Sequence, residues 1–257
     1  MITVMKVHAK TGASNIGKYE VSEAGKALAH IPNWGMLYDA DFYQSQATEI
    51  LNRVSGSHSQ IASGYEVTAT TPKMLEKTGG AGSGSVVAVG DYDIDPKNWT
   101  FFIVLKPNNN TEPSAFRFIR KTIADTGFSI YCAVSEDTQT LTIFRNSSGS
   151  LPLARVTLEQ PLSDLTHASL VVFSFSEERG STIRCNGEQV AAGTTPTGKT
   201  PASGGFKAGE WDMMRNANGE FGAWGGLNID LTLEENEQYL TELEQYFMNK
   251  YNISALT

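Results

Sequence analysis

Between Trp211 and Gly226 the chain gathers two tryptophans, Trp211 and Trp224, with Arg215, Asn216 and Asn218, all set among glycines. An indole face stacks on the C–H face of a sugar ring. The guanidinium and the two amides supply donors and acceptors for hydroxyls. Read as a loop, this segment is the candidate glycan contact of the chain. The competing reading is that Trp211 and Trp224 merely pack in the core.

Other chemistry-bearing groups are less well arranged. Asp91-Tyr-Asp-Ile-Asp-Pro places hard oxygen ligands, Asp91, Asp93 and Asp95, at alternate positions, a donor type that suits Ca²⁺. No glycine or downstream glutamate stands at EF-hand spacing, so a solvated acidic turn is the plainer reading, and no metal or other cofactor is expected. Gly79-Gly-Ala-Gly-Ser-Gly84 lacks the Gly-Lys-Ser/Thr of a phosphate loop and precedes a strand. His8, His30, His58 and His167 show no metal-ligand spacing. No Gly-x-Ser-x-Gly elbow occurs. Cys132 and Cys185 fall in apparent strands with no Cys-x-x-Cys, which suits two buried thiols, with pairing to each other as the alternative.

Composition narrows the partners. The 257 residues carry a net charge of −8, with no Lys/Arg cluster, so a nucleic-acid backbone is not an expected ligand. No run approaches the ~18 consecutive apolar residues of a membrane span. The first ten residues lack a charged n-region followed by an apolar h-region, so no secretory signal is expected.

These groups need elements to hold them. From Trp34 onward, strand patterns dominate. Trp99–Lys106 and Ser169–Ser176 are apolar on both faces and must be buried on both. Glu66–Thr70, Ser85–Val89, Ala115–Arg120, Phe128–Val134 and Gln139–Arg145 read as further antiparallel strands. Asn186-Gly187 between two β-prone runs marks a hairpin, and Asn218-Gly219 repeats the device. A short strand, Leu227–Leu231, leads into one amphipathic helix over 233–250, with Thr232 and Glu235 at capping-box spacing. Tyr239, Leu240, Leu243, Tyr246, Phe247 and Tyr251 form its apolar stripe. The pattern predicts an all-β fold: a two-sheet antiparallel jelly-roll sandwich over 34–257 with one C-terminal α-helix. Residues 1–33 lack a core pattern and read as an attachment arm.

The order of features resembles the concanavalin A-like lectin/glucanase superfamily from about residue 34 to 253. The resemblance rests on Trp99–Phe101, His167-Ala-Ser-Leu-Val-Val-Phe-Ser, Cys-Asn-Gly-Glu at 185–188, and Gly-Gly-Leu-x-Ile followed by Leu-Thr-x-Glu-Glu…Tyr-Phe-x-x-Lys-Tyr-x-Ile. More narrowly it is similar to laminin-G-like jelly rolls of bacterial surface and bacteriophage virion proteins. The superfamily's glucanases carry Glu-x-Asp-x-x-Glu on one strand. Here Glu210-Trp-Asp212 fits the first part, but Arg215 stands where the last carboxylate is required, so no catalysis is expected. The resemblance implies a non-enzymatic structural or adhesion module of a virion or surface assembly, such as a bacteriophage head-decoration or tail-associated protein. In such an assembly the chain is expected in multiple copies, residues 1–33 to contact other virion subunits, and the Trp211–Gly226 segment to bind host-surface glycans weakly. A dedicated carbohydrate-binding lectin domain and a glycan hydrolase with another site are the alternatives.

Overall fold

The computed structural model describes residues 23–43, 49–60, 64–77, 86–90, 95, 97–107, 116–123, 128–135, 139–145, 154–165, 167–193, 209–215 and 219–256. A short helix α1 (Glu23–Leu28) is followed by β1 (Trp34–Asp39), β2 (Glu49–Leu51), β3 (His58–Gln60), β4 (Tyr65–Val67), β5 (Leu75–Lys77), β6 (Val86–Gly90), β7 (Asn98–Pro107) and β8 (Phe116–Ile123). Then come β9 (Phe128–Val134), β10 (Thr140–Arg145), β11 (Ala154–Thr157), β12 (Ser169–Ser176), β13 (Gly180–Cys185), β14 (Glu188–Gly193), β15 (Gly209–Arg215), β16 (Gly219–Leu227) and helix α2 (Glu237–Tyr251).

The strands form two main antiparallel sheets. An 8-stranded sheet runs β14-β13-β12-β7-β16-β5-β4, with β1 also paired to β16; a 6-stranded sheet runs β11-β10-β9-β8-β15-β6. The architecture is the expected jelly-roll sandwich.

Alternation along β7 and β12 shows why both had to be apolar throughout. Phe101, Ile103 and Leu105, with Val171, Phe173 and Phe175, face the second sheet and meet Cys132, Val134, Leu141 and Ile143 there. Phe102 and Val104, with Leu170 and Val172, point the other way, onto Leu240, Leu243, Phe247 and Tyr251 of α2. The helix therefore roofs the outer face of the larger sheet. The Phe102 and Phe247 ring centroids are 4.8 Å apart. Burying each such side chain stabilises the fold by about 1.5–3 kcal/mol.

The helix begins later than its sequence pattern predicts. Residues Glu234–Asn236 form a 3-10 turn and α2 starts at Glu237, with no side-chain cap bond from Asn236. Thr232 and Glu235 are not a capping box. The Thr232 hydroxyl instead donates to Asp230 Oδ1 at 2.6 Å. Nor do residues 227–231 form a strand, since β16 ends at Leu227. Residues 229–231 are tethered to the sheet through Thr100, whose hydroxyl donates to Ile229 O (2.7 Å) and accepts from Leu231 N (3.0 Å). At its far end α2 is closed by Asn252 in the left-handed region (φ 53) with Ile253 N bonded to Met248 O at 2.8 Å.

The boundary at residue 34 also moves. Residues 1–22 lie outside the described part of the chain, but Leu28 and Ile31 are fully buried against α2 and the sheet. His30 pairs with Glu242 on that helix. The segment 23–33 therefore belongs to the domain rather than to an arm, because its apolar side chains fill the gap beside the helix. The two cysteines are free thiols buried in the inter-sheet core, one from each sheet, so the unpaired reading holds.

Candidate functional site

The segment from Trp211 to Gly226 is mostly strand. Trp211 and Arg215 lie on β15, which pairs with β6 and β8, and Trp224 lies on β16. Asn216 and Asn218 fall outside the described residues. Trp224 is 2% exposed and stacks on Tyr38, with ring centroids 5.4 Å apart. Its indole is part of the inter-sheet core and offers no face to a sugar, which corrects the expectation for that residue. The register of β16 against β7 shifts between Phe221 and Trp224, which brings Trp224 to the same inner face as Phe221, opposite Ile103. Glycines at 225 and 226 let Met36 and the Phe101 and Phe102 rings approach close beside it. Glu210 and Asp212 share β15, with Asp212 opposite Val87 and Arg120.

Asp91 and Asp93 also lie outside the described residues, while Asp95 Oδ1 accepts the Lys97 N–H at 2.9 Å as an ordinary turn. Among the described residues no group of three or more His, Cys, Asp or Glu is placed to hold a metal ion.

Two concavities stand out. The first is a cavity of about 490 Å³ at the open edge of the sandwich. There β11, an edge strand of the smaller sheet, meets β14, an edge strand of the larger. Residues 158–165 and the chain end at 254–256 complete the wall. Its floor is aliphatic: Val156, Leu158, Leu162, Leu165, Val190 and Leu256. Several of these continue into the inter-sheet core. Its rim is polar, with exposed Glu159, Gln160 and His167. The described lining holds no Phe, Tyr, Trp, Lys or Arg.

The backbone of this wall is held in place by Gln139, just before β10. Gln139 Nε2 donates to Leu158 O at 2.6 Å and to Glu159 O at 3.2 Å, and Leu158 N returns a bond to Gln139 O at 3.0 Å. Opposite, the Asn186-Gly187 turn is fixed to β12. Asn186 Oδ1 accepts Leu170 N at 2.8 Å, and Asn186 N donates to Leu170 O at 2.8 Å. Asn186 takes φ 49 and Gly187 φ 85, the left-handed pair a tight two-residue hairpin requires. The rim residues thus sit on a braced frame, which lowers the ordering cost of binding.

The second concavity, of about 530 Å³, holds Glu66, Glu76 and Glu220. These three are in lateral register across β4, β5 and β16: Glu66 opposite Glu76, and Glu76 opposite Glu220. Lys106 stands opposite Glu220 on the next strand. Glu66 and Glu76 are exposed. Elsewhere Phe42, at 48% exposure the one exposed large apolar side chain among the described residues, is covered on one ring face by the Arg53 guanidinium at 3.8 Å.

His167 was visible in the sequence as a residue before a doubly buried strand. Its cavity partners were not, because residues near 158, 190 and 256 come together only when the two sheet edges meet.

No protein-family model matches the chain, and no curated protein matches it in sequence. Solved structures do match in shape. Trypanosoma rangeli sialidase in complex with sialic acid aligns with a TM-score of 0.57 at 11% identity, over 88% of this chain and 37% of that one. The receptor-binding domain of botulinum neurotoxin type G aligns with a TM-score of 0.50 at 12% identity, over 82% and 51%. The binding domain of Paraclostridial Mosquitocidal Protein 1 aligns with a TM-score of 0.53 at 10% identity, over 84% and 53%. The chain thus spans about a third to a half of these proteins. At such identities the likeness is one of architecture alone, a jelly-roll sandwich.

Proposed function

We propose that this chain is a non-enzymatic recognition module that binds glycans through the cavity between β11 and β14. The observation that carries the reading is the cavity itself: a braced, concave site with an aliphatic floor and a rim of Glu159, Gln160 and His167. Sugars present the matching combination of C–H faces and hydroxyls. Two of the shape neighbours are binding domains by name, and a third was solved with sialic acid, which supports the reading without deciding it.

The setting we propose is a virion or surface assembly, following the resemblance to laminin-G-like jelly rolls of phage and bacterial surfaces. Attachment to other subunits would fall to the part of the chain before α1. Affinity per site would be in the ~millimolar to micromolar range, with many copies raising avidity.

One observation favours a hydrolase instead, the row of Glu66, Glu76 and Glu220. Retaining glycosidases hold two carboxyl groups ~5–5.5 Å apart, and opposed antiparallel residues have Cα atoms about 4.5–5.5 Å apart. But the acid of such a pair works from an apolar pocket, and Glu66 and Glu76 are exposed.

The test is glycan-array binding by the full chain beside a reducing-sugar assay on bacterial polysaccharides. The proposal expects array binding that falls at least tenfold in Gln160→Ala/His167→Ala, with no sugar release. Sugar release abolished by Glu76→Gln or Glu210→Gln would establish the hydrolase.

A further inference from the structure

We infer that the cavity selects neutral, methyl-bearing sugars, such as 6-deoxyhexoses or N-acetylhexosamines, and rejects acidic sugars. This rests on the glycan reading above and names its ligand class.

The charge of the site disfavours acidic sugars. A sugar carboxylate entering a concave site loses hydration and needs a cation or several converging N–H donors in return. The described lining contains no Lys or Arg. It contains Glu159 on the rim instead, and the chain as a whole carries −8. Both repel an anion, and against them the described lining offers no Lys or Arg, only the uncharged donors Thr157, Gln160, Asn186 and Ser254 beside His167. The site therefore differs in ligand class from a sialic-acid site, although one shape neighbour was solved with sialic acid.

The floor favours a methyl group. Sugar sites commonly offer an aromatic ring to the pyranose C–H face, but the described lining here has none. Leu158, Leu165, Val190 and Leu256 form an aliphatic patch instead. Such a patch has no flat face for a whole pyranose ring, yet it accommodates a methyl group with full apolar contact. Placing one methyl group there should favour binding by about fourfold over the same sugar without it. Glu159 and Gln160, on the backbone that Gln139 fixes, then face the ring hydroxyls as acceptor and donor.

The experiment is titration of the full chain, by calorimetry or ligand-observed NMR, with four probes. These are L-rhamnose, N-acetylglucosamine, D-glucose and N-acetylneuraminic acid. The expected order places the first two about fourfold or more ahead of glucose, with the acidic sugar weakest. In Glu159→Lys, an exposed substitution, the acidic sugar should gain at least several-fold relative to the neutral ones. Leu256→Ser should erase the methyl preference while leaving the glucose affinity near its original value. Acidic-sugar binding equal to or tighter than neutral binding would overturn the ligand class and leave the glycan reading standing. So would glucose that binds as well as rhamnose. Binding of none of the four, nor of any array glycan, by folded protein would overturn both.

Discussion

Lys250, in the last turn of the roofing helix, places its Nζ 2.8 Å from both carboxylate oxygens of Asp39, a residue only 1% exposed at the end of β1. Asp41 stands 3.5 Å from the same ammonium. The pair joins the end of the chain to the first strand of the sandwich. With Arg184–Glu244 (2.7 Å) and His30–Glu242, it fixes where α2 lies on the sheet.

Removing one partner of a buried pair strands the other. Asp39→Ala should lower stability by ~3 kcal/mol, the lower end of the usual range because Asp41 remains for Lys250. Urea unfolding followed by tryptophan fluorescence measures it. A loss below about 1 kcal/mol would place the pair with ordinary surface bridges.

Gly225 sits where β1, β16 and β7 crowd together. A Cβ there would lie 2.7 Å from Met36 O and 2.7 Å from the Phe102 ring. The carbonyl belongs to the paired strand β1 and cannot rotate away. Gly225→Ala should therefore cost ~1–3 kcal/mol, as overpacking does. A thermal melt unchanged from wild type would mean the strands separate more easily than their pairing indicates.

The buried cysteines predict an alkaline limit to stability. Burial pushes the Cys185 thiol up to about 12 from an ordinary 9.0, and pushes Cys132 up as well. Between those two pH values the unfolded chain has lost a proton that the folded one keeps. Stability is then full below pH 9 and falls as pH rises toward 12. Burial raises the Tyr43, Tyr65 and Tyr251 hydroxyls too, with the same sign. Equilibrium unfolding at stepped pH should show this slope, and Cys185→Ala should flatten it in part. Both thiols should resist alkylation at pH 8 until denaturant is added, since a reagent needs an accessible thiolate.

Like charges set directly opposite in adjacent strands destabilise a sheet. Glu76 faces Glu66 on one side and Glu220 on the other. Glu76→Gln should raise stability by about 0.2–1 kcal/mol. The gain should shrink at high salt, because the exposed carboxylates are then screened. A loss of stability would contradict like-charge repulsion along the row.

The fold was legible where burial alone decides the pattern. Phe128–Val134 and Ser169–Ser176 are strands over the predicted bounds, and Asn186-Gly187 is the predicted turn. The helix stripe of Leu240, Leu243 and Phe247 was equally plain, since one apolar face at helical spacing has one use. The helix start was not. Thr232 and Glu235 have capping-box spacing, but Asp230 captures the threonine hydroxyl and the chain enters α2 through a 3-10 turn. Trp224 shows the limit for sites. Glycine neighbours suggest a loop, yet here they let Met36, Phe101 and Phe102 pack against β16. The cavity was illegible because its lining comes from segments near 158, 188 and 255, and no local spacing connects them.

The measurement that tests the central claim most directly is an amide NMR titration of the full chain with L-rhamnose. The account predicts shift changes concentrated in residues 156–168, 186–190 and 254–256, with saturation at ~millimolar ligand or below. Changes confined to the Glu66–Glu76–Glu220 cleft or to β15, or none at saturating ligand from any array-positive sugar, would contradict it.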